Sequence, residues 1–302
     1  MHRLRIPLQS HSKDLIKPSN QTVPELPEEP PATKIFSGYI SFRTLVFILS
    51  LAISSFIVLL LINKNTNTLT YLRLIILVVS LTYFGFILSC PCPIGAAGII
   101  TSALAGGYRI NINVMVLFVT PLVLTLVVGR VFCGWICPAG ALQEFLRLIS
   151  RKTGVKKDLK VPKELMLLKY LVLILVIALS AFYLQPIFCI FDPFRRIFTL
   201  EVHGAISLLL VTLLVAASLL FERPFCKVIY PYGAILSLAE RLSILRIRRT
   251  KGCRQCELCS RVCPMQSRPG VEGECILCGN CTIKCHQKAL VYGLGGTERR
   301  KD

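Results

Sequence analysis

Polar and apolar residues fall in long blocks along this chain. Uncharged apolar runs occupy residues 45–62, 74–89, 114–129, 170–184 and 204–221. At 1.5 Å per residue, each run with its flanks predicts a helix able to cross a hydrocarbon core of about 30 Å. A single run of this kind also fits the buried helix of a soluble protein. Five in one chain predict an α-helical polytopic membrane protein with about five transmembrane helices. A sixth stretch, 94–107, is apolar but short and rich in Gly and Ala, and reads as an interfacial or re-entrant piece. Counting it as a span would give six and move the N-terminus to the other side. The polar residues 1–38 hold six prolines and predict an extended, poorly ordered tail. Arg3 and Arg5 resemble the start of a signal peptide, but no apolar stretch follows, so cleavage is not expected.

Composition agrees with these blocks. The chain is 54% hydrophobic and 17% charged, whereas soluble domains average about 45–50% and about 25%. A disordered chain and a disulfide-stapled miniprotein are both excluded. The net charge of +19 suggests nucleic acid at first, but its distribution favours the membrane. With five spans and the C-terminus inside, 26 Lys and Arg fall on the inner side and nine on the outer. The positive-inside rule then puts the C-terminal part in the cytoplasm of a cell with a multi-pass inner membrane protein. Anionic lipid headgroups account for such charge, and no nucleic-acid module accompanies it. No nucleic-acid partner is expected.

The chain also repeats itself. Residues 129–150 and 222–243 align without gaps at 8 of 22 positions. Arg130, Phe132, Cys133, Pro138, Gly140 and Ala141 recur as Arg223, Phe225, Cys226, Pro231, Gly233 and Ala234. A weaker echo begins at Cys92 and Pro93. Each copy ends in an amphipathic stretch. In the first, Leu142, Phe145, Leu146 and Ile149 are expected on one face, with Gln143, Glu144, Arg147 and Arg151 on the other. The second stretch is expected to run to Leu245. Cys133 and Cys137 read either as thiolate ligands or a redox pair, or as small apolar filler in a tight turn. Tyr230 replaces the second cysteine in the second copy. The roles of Cys90, Cys92, Cys189 and Cys226 stay open.

The densest chemistry lies in the last sixty residues. Cys253, Cys256, Cys259 and Cys263, followed by Pro264, form C-x2-C-x2-C-x3-C-P; Cys275, Cys278, Cys281 and Cys285 repeat the spacing, with His286 in place of the proline. Three thiolates at two-residue gaps wrap three corners of an iron–sulfur cube, and the fourth ligates the other cube. One [4Fe–4S] cluster would take Cys253, Cys256, Cys259 and Cys285, the other Cys275, Cys278, Cys281 and Cys263. Zinc is the main alternative, but a tetrahedral site uses two C-x2-C pairs and makes a third cysteine redundant. The expected organisation is a tail (1–38), a transmembrane domain (39–245) and an α+β two-[4Fe–4S] ferredoxin-like domain (246–302). Arg246, Arg248, Arg249, Lys251, Arg254 and Arg261 make the approach to it basic, which suits acidic partners.

No motif of substrate chemistry is present: four histidines, no C-x2-C-H haem attachment and no phosphate-binding glycine loop. Glu201 and His203 read as an ordinary interfacial pair, with quinone protonation as the alternative.

The order of Phe132-Cys133-Gly134-Trp135-Ile136-Cys137-Pro138, Cys189-Ile190-Phe191-Asp192-Pro193-Phe194, Phe225-Cys226, Tyr230-Pro231-Tyr232-Gly233-Ala234, Arg246-Ile247-Arg248-Arg249 and the two cysteine runs resembles the NapH/MauN-type membrane ferredoxins over roughly residues 70–292. The resemblance implies a respiratory-chain protein passing electrons between the quinone pool or a cytoplasmic donor and a partner redox protein. It implies the same eight ferredoxin ligands, and a membrane C-x3-C-P motif at Cys133 and Cys137 whose second copy fails at Tyr230. An electron-transfer subunit is expected over a stand-alone enzyme. The rivals are a maturation factor for a metalloenzyme and a redox-sensing membrane regulator.

Overall fold

The computed structural model describes residues 36–37, 41–61, 66–88, 93–154, 160–200, 204–250, 252–269 and 273–294. Residues 1–35 of the tail, Cys90, Cys92, Glu201, His203 and Lys251 lie outside the described residues.

Helices dominate the described residues; the first are α1 (Phe42–Leu61), α2 (Thr66–Ser80), α3 (Pro93–Gly106) and α4 (Ile112–Val128). α5 (Pro138–Lys152), α6 (Leu168–Tyr183), α7 (Ile187–Phe191), α8 (Pro193–Thr199), α9 (Ala205–Leu220), α10 (Pro224–Val228) and α11 (Pro231–Glu240) follow. Two π-helical segments, Leu81–Ile87 and Phe132–Ile136, continue α2 and precede α5. Strands β1 (Phe36–Ser37) and β2 (Ile110–Asn111) form a short parallel pair. The C-terminal part is an antiparallel ribbon of β3 (Leu245–Arg249) and β4 (Leu290–Leu294), enclosing α12 (Leu258–Arg261) and α13 (Asn280–Lys284).

All five apolar runs are helical over most of their described residues, as is the stretch 94–106. Two segments, Thr70–Ile87 and Leu165–Tyr183, are long and apolar enough to cross a membrane; Phe42–Ile57, Pro93–Gly106, Ile112–Val128 and Ala205–Leu220 are shorter apolar helices. Their faces are inverted relative to a water-soluble bundle. In α6 the buried positions include Lys169, Val176 and Ser180 while Leu171, Ile174, Leu175 and Phe182 are exposed. In α9 Ser207, Leu214 and Ser218 are buried while Leu208, Leu209 and Leu213 are exposed. Small residues inside let helices approach closely, and large aliphatic residues outside cost nothing in hydrocarbon.

The same inversion orients the amphipathic helix α5. Its polar face turns inward: Gln143 and Arg147 are fully buried, and Leu148 and Ile149 are exposed. The reason is hydrogen bonding. Gln143 Oε1 accepts the Phe225 N–H at 3.0 Å, and Arg147 reaches the Leu219 carbonyl at 2.5 Å. Glu144 joins Arg73 at 2.7 Å and Arg223 at 2.5 Å. The second amphipathic helix also ends earlier than expected. α11 stops at Glu240, and after a turn the chain enters β3 at Leu245.

One apolar core runs from Phe47, Phe84 and Phe132 through Trp135 to Leu245, Ile247, Leu277 and Leu290. The cysteine-rich part therefore shares its core with the helices.

Candidate metal centres

The two cysteine runs share one backbone course. In the first, Gln255 (φ +53°) and Glu257 (φ +56°) flank Cys256; in the second, Leu277 (φ +50°) and Gly279 (φ +79°) flank Cys278. Three residues past the fourth cysteine of each run, Gln266 (φ +54°) and Lys288 (φ +48°) are again left-handed. Most of these residues carry a Cβ that disfavours this region. Left-handed residues alternating with right-handed ones turn successive N–H groups toward one side, the concavity that receives anionic groups and iron–sulfur centres.

The folded runs bring cysteines together crosswise. Cys253, Cys256, Cys259 and Cys285 line one cavity of about 140 Å³, together with Arg249, Glu257, Arg268 and Leu290. Cys256 is exposed, so this cavity faces solvent. His286 is exposed beyond it. The other four cysteines lie deeper, Cys278 and Cys281 each at 7% exposure. Burial pushes the Cys263 thiol up to about 12, and the nearby Cys278 adds to it. Cys275 and Cys281 are raised too, by burial first; Glu240 and then neighbouring cysteines add to it at Cys275, and neighbouring cysteines at Cys281. A cationic centre among such thiols would reverse that balance and favour thiolates. The Tyr292 hydroxyl is buried without a hydrogen-bond partner of acceptable geometry, beside Cys275, Cys278 and Cys281. Among the described residues, no three His, Cys, Asp or Glu side chains converge closely enough for a single metal ion. A zinc site draws its sulfurs to about 2.3 Å from one point. The four cysteines that line the cavity could offer one thiolate to each corner of a cube.

Five consecutive residues fasten the deeper group to the helices. A Cβ on Gly273 would meet the Ser237 carbonyl oxygen at 2.5 Å. Glu274 pairs with Arg130 at 2.7 Å and with Lys169. The Cys275 N–H donates to Glu240 Oε2 at 3.2 Å. The Ile276 carbonyl lies directly against Gly134, and Trp135 Nε1 donates to the Leu277 carbonyl at 3.3 Å. Burial raises the Glu240 carboxyl to about 7, against the pull of Arg130 and the Cys275 N–H.

A family model described as a 4Fe-4S binding domain matches residues 110–156 and again 203–251. An uncharacterised protein of Methanocaldococcus jannaschii is 33% identical over 186 residues, 59% of this chain and 77% of that protein. The putative electron transport protein YccM of Escherichia coli is 30% identical, over 57% of this chain and 53% of its own length. The ferredoxin-type protein NapH of Haemophilus influenzae is 26% identical, over 54% of this chain and 62% of its own length. The chain belongs to the NapH/MauN-type family of membrane-associated 4Fe-4S ferredoxins. No solved structure matches it.

In this NapH-type chain the two matched stretches are the two internal repeats. They contain Cys133, Cys137 and Cys226 and end before Cys253. The repeats interlock through their arginines. Arg223 donates to the Cys133 carbonyl at 2.6 Å. Gly140 is wedged between that guanidinium and that carbonyl, and Gly233 sits in the same relation to Arg130 and the Cys226 carbonyl. Gln143 Nε2 lies 3.1 Å from Cys226 Sγ. Cys133 packs against the small buried cluster of Met265, Ile276 and Cys278, against which Cys263 also packs, so a repeat cysteine borders the deeper ferredoxin group. Cys189 is half-buried in α7, apart from this contact.

Sequence reasoning passed over Arg130, Lys169, Glu240, Glu274 and Tyr292. Only Arg130 left a signal, as the arginine that recurs three positions before a repeat cysteine.

Proposed function

We propose that this chain is a multi-pass inner-membrane electron carrier of a respiratory chain. One [4Fe–4S] cluster sits on Cys253, Cys256, Cys259 and Cys285, and the other on Cys275, Cys278, Cys281 and Cys263. The observation that carries the reading is the solvent-facing cavity lined by one full crosswise set, beside a second set in which Cys278 and Cys281 are buried and Cys263 and Cys275 partly so. The inverted apolar faces of α6 and α9 support the membrane, and the basic inner flank supports a cytoplasmic ferredoxin domain. The 4Fe-4S family match and relatives such as YccM support electron transfer.

Each cube supplies a one-electron carrier when bound. The protein's part is to hold four thiolates per site, keep the deeper site dry, and orient both. Solvent exposure of Cys256 suits exchange with a soluble redox partner. Packing of Cys133 against the cluster of Met265, Ile276 and Cys278 suits passage toward the membrane, where a quinone is the candidate acceptor or donor.

The crossed ligand sets give the test. In anaerobically purified protein, Cys285→Ser should remove the spectrum of the solvent-facing centre and spare the other. Cys263→Ser should do the reverse. Loss of both centres in each variant, or of neither, would reject the assignment.

A further inference from the structure

Glu274 stands immediately before Cys275 and carries two buried cations, Arg130 and Lys169, each at 1% exposure. Two full positive charges on one carboxylate leave a surplus of one beside the deeper cysteine set. Glu240, the other carboxyl facing this region, accepts the Cys275 N–H and lies in the field of both Arg130 and Glu274, so it offsets part of that surplus. The solvent-facing set has a different surrounding: an ion pair lining its cavity, Arg268 with Glu257, is 48% and 57% exposed and lies open to screening by salt. Reduction of a cube adds one negative charge, and a buried charge nearby acts on that change with little attenuation.

We propose that Lys169 and Glu274 are opposed positioning charges that set the reduction potential of the centre on Cys263, Cys275, Cys278 and Cys281, without touching its ligands' sulfurs. This rests on the two-cluster reading above. The pair serves the membrane-facing step: it fixes how readily the buried centre takes an electron, independently of the solvent-facing one. A clamp with only a mechanical role would also need these side chains, but the two roles differ in sign. Removing the positive charge and removing the negative charge should move the potential in opposite directions only if charge is what matters.

The test is a redox titration of the full chain, purified anaerobically and followed by low-temperature EPR. Lys169→Gln should lower the potential of one centre, Glu274→Gln should raise it, and Lys169→Arg should restore the parent value. The other centre should stay in place throughout. If Glu274→Gln fails to assemble, the double variant Lys169→Gln/Glu274→Gln, which deletes one charge of each sign, should return close to the parent potential. Shifts of the same sign, equal shifts of both centres, or no shift with iron retained would overturn the inference. A parent protein without iron and labile sulfide would instead overturn the two-cluster reading.

Discussion

Gly134→Ala probes the junction between the repeat and the buried cysteine loop. The added methyl would lie 2.1 Å from the Ile276 carbonyl oxygen, and an ordinary contact begins at 3.4 Å. The obstructing atom is backbone, so it cannot swing aside as a side-chain end would. The loop and the π-helical segment must part by the difference, about 1.3 Å. The Trp135–Leu277 hydrogen bond, already 3.3 Å long, cannot survive that movement. Overpacking of this kind costs about 1–3 kcal/mol, and the lost hydrogen bond about 0.5–1.5 kcal/mol. Together they weaken docking by about 2–4 kcal/mol, which at about 1.4 kcal/mol per tenfold raises the undocked population by one to three powers of ten. Hydrogen exchange of residues 273–281, measured by mass spectrometry on the detergent-solubilised protein, should accelerate by that factor. Gly252→Ala is the control, because its methyl would meet only Thr250 Oγ1, at 4.0 Å. Unchanged exchange in Gly134→Ala would refute the backbone-to-backbone docking.

Other outcomes follow from individual residues. Tyr292→Phe should lower the potential of the buried centre, since a hydrogen bond to cluster sulfur favours the reduced form; an unchanged EPR titration would mean that the hydroxyl points elsewhere. Burial alone would raise the Glu144 carboxyl, but Arg223 and Arg73 outweigh it and bring it down to about 2, from an ordinary value of 4.5. A depressed folded-state pKa stabilises above the unfolded value and is lost as pH falls through the folded one. Thermal stability should therefore decline from about pH 4.5 toward 2, and Glu144→Gln should be less stable at pH 7 and lack this part of the acid loss. Charge reversal at the exposed Arg249, Arg254 and Arg261 should slow reduction by an acidic soluble donor and flatten its dependence on salt, read by stopped-flow. Equal rates in parent and variant would remove this face as the docking surface.

The blocks of apolar sequence predicted the helices because hydrocarbon length is a property of composition alone. The convergence of Cys253, Cys256, Cys259 and Cys285 on one cavity was readable too, since C-x2-C-x2-C-x3-C spacing constrains a loop whatever surrounds it. The orientation of α5 was not. Its polar face looks solvent-directed until Arg73, Arg223 and the Leu219 carbonyl are brought to it from 69 to 79 residues away. The ion cluster at Glu274 was hidden for the same reason, since Arg130 and Lys169 lie more than a hundred residues before it. The repeat marked Cys133 as notable. Only packing reveals that it borders the buried cluster of Met265, Ile276 and Cys278.

The central claim is that eight cysteines hold two cubes, and metal analysis of the anaerobically purified full chain tests it most directly. The account predicts about eight irons and about eight acid-labile sulfides per chain, as two [4Fe–4S] centres require. One or two zinc ions per chain with no labile sulfide would contradict it.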